Sequence, residues 1–150
     1  MSKQFPGIHI SREEYCCKCC GQLPPDFYNE ENEPSIEYIL LFNCFEEIRQ
    51  IYGKPIPISS GFRCVSHELE LFARHEIQSP VSVHIFGLAL DIVPPKEDIE
   101  KVVKIARIVT PTPRIGWHDY LPHPTPHIHL DVGWMIIPRW SKDLVKGVEW

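Results

Sequence analysis

Fifteen of the 150 residues are proline, about twice the usual share of ~5%, and their placement limits every element this chain can form. Pro55 and Pro57 forbid helix around them, Pro94-Pro95 stop whatever precedes them, and Pro111 and Pro113 break whatever reaches them. Residues 35–53 then read as the clearest helix. Ser35 is placed to cap it, Glu37 sits in its first turn, and Ile36, Ile39, Leu40, Cys44 and Ile48 recur at helical spacing. Gly53 falls where a left-handed residue would end it. A second strong helix spans about 97–108, with Ile99, Val102, Val103 and Ala106 on one face. Residues 66–77 are a third candidate. Residues 55–63 read as extended, and 88–93, 114–118 and 127–132 as short strands. Short strands interspersed with helices make the expected class α+β.

The length suits one domain. We expect a single unit over 1–150, with an irregular cysteine-bearing segment at 1–34, a core at 35–134 and a C-terminal segment at 135–150. Hydrophobic residues make up 43% of the chain and charged residues 23%, which excludes a disordered polymer. The net charge of −5 lacks the broad basic field that phosphate backbones require, so nucleic acid is not an expected partner. No apolar run approaches the ~20 residues of a membrane span. Met1–Ile10 lacks the ~7–15-residue apolar stretch of an export signal. The expectation is a monomer, cytoplasmic at synthesis.

Four of the six cysteines lie in Cys16-Cys17-Lys18-Cys19-Cys20, while Cys44 and Cys64 stand apart. The two overlapping C-x-x-C pairs suggest a zinc knuckle, but no second C-x-x-C or H-x-H lies at finger spacing from them. The other reading is a set of buried thiols, with bridges to Cys44 or Cys64. Without an export signal, reduced thiols are the default.

The remaining chemistry is concentrated in two places. His127-Ile128-His129-Leu130-Asp131-Val132 alternates strictly, so in a strand His127, His129 and Asp131 share one face. An exposed edge strand would account for them with no function. In Ser82-Val83-His84-Ile85-Phe86-Gly87-Leu88-Ala89-Leu90-Asp91-Ile92, Asp91 interrupts an apolar strand. A carboxylate there must be paired, hydrogen-bonded or bound to a metal. His84 lies seven residues upstream, across a glycine. With His129 the three form a two-histidine, one-carboxylate set of the kind that leaves a catalytic zinc an open position. A purely structural hydrogen-bonding role for Asp91 is the alternative.

Ser82-x-His84-x-x-Gly87-x-Ala89-x-Asp91, followed by His127-x-His129-x-Asp131, resembles the zinc D-Ala-D-Ala carboxypeptidases and peptidoglycan endopeptidases of peptidase family M15. Ser60-Gly61-Phe62-Arg63 is similar to that family's S-G-Y-R element, and Gly53 to Ile56 to its approach. The elements occur in family order over about 35–134. The resemblance implies a small antiparallel sheet carrying the zinc ligands, flanked by helices, as in Hedgehog domains and DD-peptidases. It implies His84, Asp91 and His129 as zinc ligands and His127 as the catalytic base. Pro126 occupies the position of the acidic base used by other members. Arg63 matches the arginine that binds substrate carboxylate or polarises the scissile carbonyl, and Ser82 a position near substrate. The implied activity is hydrolysis of bonds involving D-amino acids in peptidoglycan stem peptides, as a carboxypeptidase or cross-link endopeptidase. A phage lysis enzyme, held in the cytoplasm until released onto the wall, would reconcile that substrate with the missing export signal. The alternatives are a zinc-bearing binding domain without catalysis and an intracellular D-Ala-D-Ala dipeptidase. The stretch 66–80 departs from the family in having no glycine.

Overall fold

The structure, a computed structural model, describes residues 4–77, 82–135 and 148–150. Ser11 and Glu14 form a reciprocal capping box that starts a four-residue helix, α1 (Arg12–Tyr15). Helix α2 (Ile36–Tyr52) ends at Gly53, whose φ of 80° is the left-handed closure expected of that position. Ser35 precedes it without capping: its hydroxyl donates to the Asp26 carbonyl at 2.7 Å, so it fastens the preceding loop. Helix α3 (Val65–Ala73) stops short of the expected end, and α4 (Ile99–Ala106) follows a single 3-10 turn at Lys96–Asp98.

Strands β1 (Ile58–Ser60), β2 (Ala89–Ile92), β3 (Arg114–Gly116) and β4 (Ile128–Asp131) form one antiparallel sheet in the order β1-β2-β4-β3. β4 is therefore an inner strand, which removes the exposed-edge explanation of its histidines. Leu90 pairs with Leu130, which pairs with Ile115, and Ile92 pairs with Ile128. These apolar rows belong to the same buried cluster as Leu41, Phe45 and Ile48 of α2 and Ile99, Val102 and Val103 of α4. Each fully buried aliphatic or Phe side chain contributes about 1.5–3 kcal/mol. The alternate residues form two other rows, Ala89–Asp131–Arg114 and Asp91–His129–Gly116. Strand alternation puts both rows on the face away from the apolar one.

The segment 1–34, expected to be irregular, contributes α1 and several core side chains. Ile10, Tyr15 and Phe27 are almost fully buried. Tyr15 meets Phe42 of α2 edge to face at 4.9 Å, and Phe27 stacks on Phe5 at 5.7 Å. The Tyr15 hydroxyl donates to the Gly87 carbonyl at 2.6 Å, and the Phe62 N–H donates to the Tyr15 carbonyl at 2.7 Å. A Cβ on Gly61 would lie 2.5 Å from that carbonyl oxygen, so only glycine lets the two chains approach this closely.

All six cysteines are unbridged, and Cys44 is buried on α2. No helix among the described residues is long and apolar enough to cross a membrane. Trp140 and most of the expected C-terminal segment lie outside the described residues.

Candidate metal centre

His84 sits in a 3-10 turn, Val83–Phe86, between two local stops. The Ser82 hydroxyl accepts from the His84 N–H at 3.3 Å, and Gly87 closes the turn at a φ of 74°. His84 Nδ1 donates to the Gly61 carbonyl at 2.7 Å. That bond sets the tautomer and leaves Nε2 bare, 3.2 Å from Asp91 Oδ1. Asp91 projects from β2, and its partner in the β2–β4 register is His129. His129 Nδ1 lies 3.1 Å from the same Asp91 Oδ1. His84, Asp91 and His129 are 2%, 6% and 7% exposed.

Three ligand atoms from these residues lie within 4.8 Å of one another. Two imidazole nitrogens and one carboxylate oxygen are a zinc donor set that keeps a position open. His129 carries the orienting partner such a centre needs. Its Nε2–H donates to Asp131 Oδ2 at 2.8 Å, so Nδ1 is left for a metal. Asp131 is fully buried and is gripped by Arg114, whose Nε and Nη2 donate to its two oxygens at 2.9 and 3.0 Å. Gly133 N–H donates to Asp131 Oδ1 at 3.1 Å. The donor chemistry fits zinc.

The electrostatics agree with a site built for a cation. Burial alone would raise the Asp91 carboxyl, but the His84 and His129 imidazoles hold it well below the usual carboxylate range. Burial would lower His129, yet its bonds to Asp131 and Asp91 push it up to about 9.

Two further side chains border the centre. His127 Nε2 is 4.0 Å from Asp91 Oδ1, and its ring stacks on Tyr120 at 4.2 Å. Burial lowers its basicity, partly offset by Asp91. Arg63 donates from Nη2 to Asp91 Oδ2 at 3.1 Å, from Nη1 to Glu68 Oε2 at 3.3 Å and from Nε to the Ser60 hydroxyl at 2.9 Å. Its backbone N–H donates to the His84 carbonyl at 3.1 Å. The guanidinium is thus held by two carboxylates at the rim.

The structure brings His84, Asp91 and His129 together, with His127 and Arg63 beside them. Ser82 acts on the site through the backbone of His84. Asp131, Arg114, Glu68 and the Gly61 carbonyl were not assigned roles from the sequence. Asp131 could have been found, because it alternates with His129 on a strand. Glu68 gave no signal beyond following Arg63 by five residues.

His84 from its 3-10 turn and Asp91 and His129 from the two inner strands form a candidate two-histidine, one-carboxylate metal site. A family model described as Peptidase M15 matches residues 10–131. The chain belongs to the peptidase M15 family. It is similar to the crystal structure of the Serratia marcescens L-Ala D-Glu endopeptidase ChiX, with 18% sequence identity and a TM-score of 0.47 over 65% of this chain and 81% of that one. No curated protein matches the chain.

Proposed function

We propose that the protein is a zinc peptidase that hydrolyses bonds involving D-amino acids in peptidoglycan stem peptides, either at the D-Ala-D-Ala terminus or at a cross-link. The observation that carries this reading is the convergence of His84 Nε2, Asp91 Oδ1 and His129 Nδ1 in a chain of this family. Zinc bound there supplies a Lewis acid for the scissile carbonyl and brings the pKa of a coordinated water to about 7.

The chain's own groups do the rest. The Gly61 carbonyl and Asp131 keep the two imidazoles aimed inward. Arg63 uses three donors on Asp91, Glu68 and Ser60. A guanidinium has five N–H groups in a planar fork, so the remaining two can bind a substrate carbonyl or terminal carboxylate. His127, 4.0 Å from Asp91 and partly exposed, is within reach to take a proton from water and deliver it to the leaving amine. His127→Ala is expected to keep the metal and lower turnover by about 10²–10⁴-fold, the usual contribution of a general acid–base. Metal analysis beside initial rates checks this. Loss of zinc in that variant would instead make His127 a ligand.

Digestion of purified peptidoglycan, with fragments identified by mass, tests the reading as a whole. Release of terminal D-alanine or opening of cross-links, abolished by a chelator, is the expected result. Hydrolysis of free D-Ala-D-Ala with intact walls would make the protein a dipeptidase. Bound zinc with no turnover of either substrate would make it a binding domain. A lysis enzyme would in addition clear outer-membrane-permeabilised cells when added from outside.

A further inference from the structure

A second group of metal-competent side chains lies away from the first centre. The sulfurs of Cys17, Cys20 and Cys64 all fall within 4.8 Å of one another. His67 places Nδ1 3.6 Å from Cys17 Sγ. In sequence these residues are two half-sites of equal spacing, Cys17-x-x-Cys20 and Cys64-x-x-His67. The fold brings together what 43 intervening residues separate. We propose that Cys17, Cys20, Cys64 and His67 form a second, structural zinc site that ties the N-terminal turn to the start of α3.

The geometry favours a metal over a loose set of thiols. In a tetrahedral site with Zn–S near 2.3 Å and Zn–N near 2.0–2.1 Å, a sulfur and a nitrogen lie about 3.5 Å apart. The Cys17–His67 separation of 3.6 Å matches that edge. The backbone is arranged for thiolates. The Cys64 N–H donates to Cys17 Sγ at 3.4 Å, and the N–H groups of Cys19 and Cys20 also point to that sulfur. The turn that aims them is closed by Gly21, at a φ of 69°. Cys64 caps α3, with its sulfur accepting from the His67 N–H at 3.4 Å, and a helix N-terminus favours a thiolate. Three thiolates and one imidazole are an established structural zinc set, with no open position and so no catalytic role. Three thiol protons are released to solvent as the metal binds.

The site has a mechanical use. Arg63 immediately precedes Cys64, and the neighbouring Gly61 and Phe62 touch Tyr15. A metal joining Cys17 and Cys20 to Cys64 would fix the backbone that presents Arg63 to Asp91.

Metal analysis of protein purified under reducing conditions tests the proposal independently of any activity. Two zinc ions per chain are expected, falling to one in His84→Ala and to one in Cys64→Ser. Cobalt substitution in His84→Ala should give the near-ultraviolet charge-transfer absorption of thiolate ligands, which imidazole and carboxylate do not produce. Titrating the parent with an organomercurial avoids reliance on a variant that fails to fold, and should release one zinc per chain. A parent from which the organomercurial releases no zinc, or a Cys17–Cys20 disulfide in the reduced preparation, overturns the site. His67→Ala should weaken retention of this zinc while Cys19→Ser does not. The reverse ranking overturns the assignment of His67 as the fourth ligand.

Discussion

Asp91→Ala is expected to lose one zinc per chain and to reduce peptide hydrolysis to the background of the assay. Of the three candidate ligands Asp91 is the anionic one, and its Oδ1 faces both His84 Nε2 and His129 Nδ1 at 3.1–3.2 Å. Without it two neutral imidazoles remain, too few to hold a catalytic zinc against a chelator. The second oxygen also anchors Arg63, so the variant loses the guanidinium's position as well. Asp91→Asn separates shape from charge: it keeps the side-chain volume and is expected to bind zinc far more weakly than the parent. Zinc content, circular dichroism and rates on peptidoglycan should be measured on the same preparations. A folded Asp91→Ala protein with parental zinc and parental rates would remove the centre from consideration.

The second large effect is expected at a residue that touches neither metal nor substrate. Asp131→Ala leaves the Arg114 guanidinium, itself only 9% exposed, without the carboxylate that binds it in two places. Breaking one side of a buried ion pair costs about 3–5 kcal/mol. That is a large fraction of the ~5–15 kcal/mol that holds a typical domain folded. Metal affinity should fall by about 10–100-fold as well, because His129 loses the acceptor that orients its ring. Denaturant unfolding of the metal-free protein isolates the first effect, and competition with a chromophoric chelator reads the second. Asp131→Asn, which retains one oxygen for Arg114, should lie between. An unfolding free energy within about 0.5 kcal/mol of the parent, the range of a neutral surface change, would contradict the buried-pair account.

The parts of this structure visible in the sequence were those that repeat with a period or stop at a breaker. Helix α2 shows its apolar spacing and its Gly53 end, and β2 and β4 show apolar alternation interrupted by polar groups at Asp91 and His129. Interactions between distant segments were not visible. Arg114 looks like an ordinary basic residue after a proline, and the β3–β4 register accounts for its burial by placing Asp131 opposite. Cys64-x-x-His67 has no similar half-site near it in the chain, and Cys17-x-x-Cys20 lies on the far side of α2 and β1. Helix α1 carries a legible Ser11-x-x-Glu14 box, but one turn is too short to show a period. Tyr15 and Phe27 sit among polar neighbours, so composition hid two of the largest buried side chains.

The strand order also has a consequence for how the chain reaches this state. β3 precedes β4 in the chain, yet it joins the sheet only through β4, which separates it from β2. A polypeptide ending before residue 127 therefore has no place in the sheet for β3, no His129, and no Asp131 carboxylate for Arg114. Sheet closure, the Arg114–Asp131 ion pair and the placing of His129 beside Asp91 all depend on the same long-range strand pairing. During synthesis, a chain released before β4 emerges would expose the Leu90 and Ile115 strand edges together. Residues 128–131 are thus the one segment that joins both halves of this sheet.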